Sequence, residues 1–451
     1  MNQQLKSPST KTLGALRSLI TSFPVLFTIS VLVISVSFFF SLYPIGRSPI
    51  VEDTIQRVYY ADNIADGHSE LIRRFNQLHE GEIEVIGIDL PFTKFNTNQR
   101  KELIARNLRS RGSRIDVFSV DLVWVPRFTK WAEPIGSYFP LKFLGGLVPE
   151  ALETCYVNGQ LYAIPFYVDI GALFYREDMI LALPDGEALN ERIQQSISWD
   201  ELLEITETHF ENGPTYLLQG KAYEGLICNF NEILGKSLLD PNTGELTDLT
   251  DSIIVERVRF MRDLVQRGVT PSEALNMTED QCLHYALKYD IPFVRGWPTM
   301  DNEGEIQYDP EKFEKLALAP LPHFGDEQAT PVFGGWNMML SKHSPVKEAA
   351  ILFMQFVSSY EGQRIFYEAE GLLPIQKKIY ETETDSLRLK RLNFAASMIR
   401  QGIHRPALPE YTLISDILSL HLHEVLKGNV SPEEGLRQAK NEIESLGGGG
   451  S

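Results

Sequence analysis

Leu161-Tyr-Ala-Ile-Pro165-Phe-Tyr167-Val-Asp169-Ile-Gly-Ala172-Leu-Phe-Tyr-Arg176 is the stretch on which the fold turns. It starts as an apolar, strand-like run, passes through Pro165, and offers Tyr167 and Asp169 before a second β-prone run at Ala172–Tyr175. Proline has no backbone donor and a fixed φ, so a strand containing it belongs at a sheet edge or between sheets. A strand that leaves one sheet for another builds a hinge with a cleft beside it. There, a carboxylate next to an aromatic ring suits a polyhydroxylated ligand: the acid accepts hydroxyl hydrogen bonds and the ring covers an apolar face. The other reading is an edge strand with a satisfied surface aspartate.

At 451 residues the chain exceeds one ordinary core, and two lobes are expected. Its 43% apolar and 23% charged residues mark a globular protein, and a net charge of −18 argues against a nucleic-acid partner. The first 46 residues nonetheless carry Lys6, Lys11 and Arg17 and no acid. No charge lies between Arg17 and Arg47, and Phe23–Tyr43 is dominated by Val, Ile, Leu and Phe. A run of about 20 apolar residues spans a bilayer, whereas the apolar region of a signal peptide is nearer 7–15. The expectation is an anchor over 19–46 with residues 1–18 cytoplasmic and the body outside. A cleaved signal peptide is the alternative, but Phe38-Phe-Phe-Ser-Leu-Tyr43 is a poor cleavage site, and no cysteine follows the apolar run to take a lipid.

From Arg57 onward strand and helix signals alternate. Leu71, Ile72, Phe75 and Leu78 form one helical face, with Ser69 placed to cap it. Ile83–Ile88 reads as a strand, Gln99–Leu108 as a helix and Ile115–Val120 as a buried strand. That order predicts a mainly parallel sheet covered on both faces, with ligands bound beyond the carboxyl ends of strands. Asp121 sits at such an end, ahead of Trp124; its other reading is a loop cap. Ser198-Trp-Asp-Glu201 is a capping box. Tyr223–Phe230 reads as a helix start with Glu224 and Asn229 near the cleft. Trp297, between Gly296 and Pro298, is either core filler or a sugar platform. Gly334-Gly335 before Trp336 lets backbone and ligand approach closely. The terminal Gly-Ser run, 447–451, is an appended linker and takes no part in the fold reasoning.

Several signatures are missing. There is no G-x-S-x-G elbow, Walker loop or H-E-x-x-H motif, so no catalytic residue, metal ligand or cofactor is assigned. His421 and His423, two apart in a helical pattern, do not face each other. Three cysteines allow at most one bridge.

Seven segments match one known family in order: Asp116-Val-Phe-Ser-Val-Asp121-Leu-Val-Trp124; Tyr167-Val-Asp169; Ser198-Trp-Asp-Glu-Leu202; Tyr223-Glu-Gly-Leu-Ile-Cys-Asn-Phe230; Gly296-Trp297-Pro298; Gly334-Gly-Trp336; and Arg405-Pro406 followed by Tyr411. Together they resemble the extracellular solute-binding proteins of sugar ABC importers, in particular the trehalose/maltose type, from about Arg57 to about Ile443. The resemblance implies a two-lobed α/β periplasmic-binding-protein fold, type II-like, behind the N-terminal transmembrane helix. Lobe one would comprise 55–165 plus 304–357, and lobe two 166–303 plus 358–446. Carried over, the ligand residues would be Asp121, Tyr167, Asp169, Trp297, Gly335, Trp336, Arg405 and Tyr411. The implied partners are a di- or oligosaccharide and ABC permease subunits with a separate ATPase. A membrane-anchored carbohydrate-active enzyme is the alternative from another class, since paired acids beside aromatic rings also describe glycosidase clefts. A sugar-sensor subunit is a third.

Overall fold

The computed structural model describes residues 23–42 and 55–447, apart from 93, 96, 111–114, 211–212, 239–244 and 299–308. The chain divides after Thr54 into two units. The first holds α1 (Phe23–Leu42), and side chains are described only for 27–36 of it. Among the described residues no helix is long and apolar enough to cross a membrane. The cytoplasmic N-terminus, the two ends of the expected anchor (19–22 and 43–46) and residues 448–451 of the linker lie outside the described residues.

The second unit opens as anticipated with β1 (Gln56–Asp62), α2 (Asp66–Leu78), β2 (Ile83–Asp89), α3 (Thr97–Arg109) and β3 (Val117–Asp121). There follow β4 (Ala163–Ile170), β5 (Ala172–Arg176), α4 (Trp199–His209), β6 (Tyr216–Leu217), α5 (Glu224–Leu234), α6 (Ser252–Gln266) and α7 (Glu279–Tyr289). The chain continues through β7 (Phe293–Gly296), β8 (Leu316–Ala319), β9 (Phe333–Leu340), α8 (Lys347–Val357), α9 (Tyr360–Glu370), α10 (Ser386–Ile399), α11 (Tyr411–Leu426) and α12 (Pro432–Gly447). The capping box acts as read: Ser198 and Glu201 exchange side-chain-to-backbone bonds at the head of α4. Gly371, at φ +68°, ends α9. Ala65, not Ser69, is the N-cap of α2, which starts a turn earlier at Asp66.

Two sheets result. The first has the order β2-β1-β3-β9-β4, with β1 parallel to β2 and β3, and β9 antiparallel to both β3 and β4. The second has the order β8-β5-β7-β6, antiparallel except for β6 on β7. Each sheet carries its own core. On β5, Leu173 and Tyr175 join one cluster and Phe174 the other, as a strand with period two requires.

The stretch 161–176 does what its composition demanded: β4 lies at the edge of the first sheet, and the chain turns through Gly171 into β5 of the second. Pro165 stands opposite Asn337, and the β4–β9 register shifts beside it, between Trp336 and Asn337. Three segments cross between the sheets, and they are hydrogen-bonded side by side. Gly171 donates to Val332 O at 3.1 Å, Phe333 to Ile403 O at 2.9 Å, and Ile403 to Pro331 O at 2.9 Å.

The division of the chain differs from the expectation in two places. Leu316–Ala319, expected within lobe one (304–357), pairs along Leu173–Arg176 as the edge of the second sheet. Residues 360–399, expected in lobe two (358–446), pack on the first: Phe366, Leu373, Ile379 and Leu392 belong to its core, and α9 lies on α2. Both runs are amphipathic or apolar enough for either sheet; non-local pairing decides between them.

Candidate functional site

The candidate residues gather where the two sheets meet. Asp121 ends β3, and Trp336 on β9 faces it across one ladder and Tyr167 of β4 across the next. Those three side chains form one row over three strands. Gly334 faces Asp169, whose Oδ1 accepts from Ile170 N at 3.0 Å. From the second sheet, Trp297 follows β7 and brings its ring against Gly334, where an added Cβ would stand 3.1 Å from Cζ3. Gly335 adopts φ +141°, and a Cβ there would meet Tyr167 O at 2.5 Å. Only glycine fits that approach of β9 to β4.

Arg405 and Tyr411 arrive from the third crossing. The Arg405 guanidinium lies between two carboxylates: Nη2 donates to Asp121 Oδ1 at 2.9 Å, and Nη1 to Glu224 Oε1 at 2.8 Å and Asp121 Oδ2 at 3.3 Å. Tyr411 OH donates to the same Glu224 Oε1 at 2.6 Å. Burial raises the Asp121 carboxyl, against the pull of Arg405, and the nearby Glu224 charge adds to the rise. For Arg405, burial acts to lower the guanidinium, but Asp121 and Glu224 overcome it and hold it raised. Tyr411 and Tyr167 are both pushed up, first by burial and then by Glu224 and Asp62 respectively.

Two further groups were not singled out from the sequence, and each pairs an arginine with a tryptophan. In the first lobe Arg100 is fully buried; Nη2 donates to Asp62 Oδ1 at 2.6 Å, and the guanidinium lies 4.1 Å over Phe92 and 4.4 Å over Trp336. Burial alone would raise the Asp62 carboxyl, but His68 and Arg100 keep it well below the usual range. In the second, buried Arg295 binds Glu232 through Nε and Nη2 at 2.8 and 2.6 Å and lies 3.9 Å over Trp297. Glu232 Oε1 also accepts Val332 N, in the second crossing, at 3.2 Å. Arg100 Nε and Nη1, Arg295 Nη1 and Arg405 Nε are buried without an acceptor among the described residues. A buried donor without an acceptor costs about 1–3 kcal/mol, so these N–H groups favour anything that brings oxygen acceptors.

Other features fall away from this place. Among the described residues no cluster of His, Cys, Asp or Glu could hold a metal ion. Cys155, Cys228 and Cys282 are buried and unbridged, and burial pushes each thiol up. His421 meets Glu442 at 3.0 Å and His423 meets Gly220 O at 2.8 Å. An open cavity of about 570 Å³ on α7, beside Met277, Tyr285 and Tyr289, includes none of the candidate residues.

Residues 61–364, more than half of the chain, match the family described as bacterial extracellular solute-binding protein. A probable ABC transporter-binding protein of Deinococcus radiodurans is 24% identical over 372 residues, covering 78% of this chain and 85% of that protein. Among solved structures, maltose-bound MalE3 of T. maritima superposes with a TM-score of 0.76 at 24% identity, covering 87% of this chain and 100% of that one. The GacH receptor of Streptomyces glaucescens, studied unliganded and with acarbose, gives 0.71 at 21% identity over 87% and 98% of the two chains. A Thermotoga lettingae solute-binding protein bound with α-D-tagatose gives 0.74 at 19%, over 87% and 99%. At such identities the structural likenesses bear on the fold: two α/β lobes of the periplasmic-binding kind.

Proposed function

The chain belongs to the bacterial extracellular solute-binding proteins, and from that premise we propose that it captures a di- or oligosaccharide between its lobes for an ABC importer. The observation that carries the reading is the row Asp121–Trp336–Tyr167 at the meeting of the sheets, with Trp297 reaching it from the other lobe. Carboxylates and arginines there exchange charge-assisted hydrogen bonds with hydroxyls, and the rings cover apolar sugar faces. Arg100 Nη1, Arg295 Nη1 and Arg405 Nε supply further donors to sugar oxygens. The ligand set in this proposal is Asp121, Tyr167, Asp169, Trp297, Gly335, Trp336, Arg405 and Tyr411, joined by Arg100 and Arg295. The maltose and acarbose held by two of the superposing proteins support the same class of ligand. No turnover is expected, and a permease pair with its own ATPase receives the sugar.

A calorimetric and thermal-shift screen of di- and oligosaccharides tests this directly. Saturable heat and a raised melting temperature with at least one sugar are expected. A well-folded protein that binds none of them sinks the reading, and sustained release of reducing ends from an oligosaccharide transfers it to the enzymes.

Trp336→Ala is expected to weaken that binding by about 1.5–3 kcal/mol, the scale of a lost aromatic contact. The ring is only 8% exposed and packs edge-on against Phe92 and Trp124, so stability falls as well. Titration well below the variant's melting temperature separates the two effects. Unchanged affinity would make Trp336 a core residue alone.

We propose further that the apolar run around α1 stays attached, anchoring an extracytoplasmic body in the plasma (inner) membrane with the N-terminus in the cytoplasm. Its basis is the charge-free interval from Arg17 to Arg47. Membrane fractionation should recover the intact chain, and a native N-terminus beginning after residue 40 would show cleavage instead.

A further inference from the structure

Helix α5 is buried along its whole length yet carries two glutamates at its interior faces. Glu232 stays with Arg295 and the second crossing, whereas Glu224 reaches the third. Its Oε1 accepts from Arg405 and Tyr411, and its Oε2 from the Ser415 hydroxyl. Tyr411 and Ser415 both lie on α11, which packs against α5 and α6, so Glu224 is fixed in the second lobe. The remaining bonds of Arg405 go to Asp121, the last residue of β3 in the first sheet, itself held by Val123 N at 3.1 Å. One continuous chain, Asp121–Arg405–Glu224, therefore runs from the first sheet to the second lobe. A second contact lies beside it: Asn98 of α3 donates to Asp416 Oδ1 of α11 at 2.7 Å, with Lys101 Nζ 4.0 Å from the same carboxylate.

We propose that Glu224 is a positioning residue: it holds Arg405 as a clasp on Asp121, and the clasp favours the closed lobes before any ligand arrives. This extends the two-lobed receptor reading, but its test needs no sugar. The physics is that of a population shift. Opening separates Asp121 from a guanidinium that Glu224, Tyr411 and Ser415 keep on the other side, so charge-assisted bonds are lost on opening and regained on closing. A ligand that meets lobes already biased toward closure needs less differential affinity to complete it. Arg405 keeps only Nε for a ligand, since both terminal nitrogens are engaged by the clasp.

The experiment is a spin-label distance measurement on the ligand-free chain. One label is placed at Leu141→Cys (86% exposed, first lobe) and one at Tyr289→Cys (55% exposed, second lobe). The three native cysteines are buried, which keeps labelling selective. The parent protein is expected to show a closed population. Glu224→Gln and Asp121→Asn are each expected to lower its closed-to-open ratio roughly tenfold, the scale of one charge-assisted hydrogen bond, and Ser415→Ala by less. Superimposable distributions in the parent, Glu224→Gln and Asp121→Asn would overturn the proposal, as would a parent with no closed population. If Glu224→Gln does not fold, Asp121→Asn and Ser415→Ala decide the matter from opposite ends of the chain of bonds. A failed saccharide screen leaves this result standing, and an open parent leaves the sugar reading standing.

Discussion

Replacing Arg295 with methionine is expected to lower stability by about 3–5 kcal/mol, the usual consequence of removing one partner from a buried ion pair. The side chain has 1% exposure, and both its Nε and Nη2 are committed to Glu232. Burial by itself would lower the guanidinium, and the Glu232 charge with its hydrogen bonds overcomes that and holds it raised. Without Arg295, the Glu232 carboxylate keeps, among the described residues, the Val332 N–H alone and is stranded in a site shielded from water. Chemical denaturation of the parent, Arg295→Met and the double variant Arg295→Met/Glu232→Gln measures this. The double variant is expected to regain much of the loss, because no unpaired charge remains. If it is no better than the single variant, the pair matters for shape and not for charge.

Gly335→Ala is expected to cost about 3 kcal/mol or more. A φ of +141° is strained for any L side chain, typically by about 1–3 kcal/mol. The new Cβ would also stand 2.5 Å from Tyr167 O and 3.1 Å from Val168 Cα. Both atoms are backbone of the neighbouring strand, so no rotamer change relieves the clash, and β9 must part from β4. Gly159→Ala is the control: its φ is +76° but nothing lies within 4 Å, so only the conformational part remains, about 1 kcal/mol. Equal melting shifts for the two variants would contradict the close-approach account.

The sequence carried the crossing strand and the opening alternation of strand and helix, because proline chemistry and hydrophobic periodicity are local. It did not carry the membership of Leu316–Ala319 or of 360–399, since either sheet offers such runs an apolar surface. Arg100 escaped for a related reason. In Thr97–Arg109, a helix rich in polar residues, an arginine reads as solvated; its burial comes in part from Trp336, which is distant in sequence, beside Phe92 just ahead of the helix. Arg405 was carried over as a ligand residue, but two carboxylates from different parts of the chain occupy its terminal nitrogens. Glu224 was placed near the cleft by its helix start, though nothing local shows which arginine it would hold.

The three crossing segments, bonded edge to edge at Gly171, Val332 and Ile403, have a thermodynamic consequence. Two free bodies that clamp a guest between them surrender translational and rotational freedom, on the order of 4–15 kcal/mol. A hydrogen-bonded ribbon is stiff in its own plane and bends mainly across it. The two halves of this molecule are already joined by that ribbon, so capturing a guest does not have to bring two free bodies together.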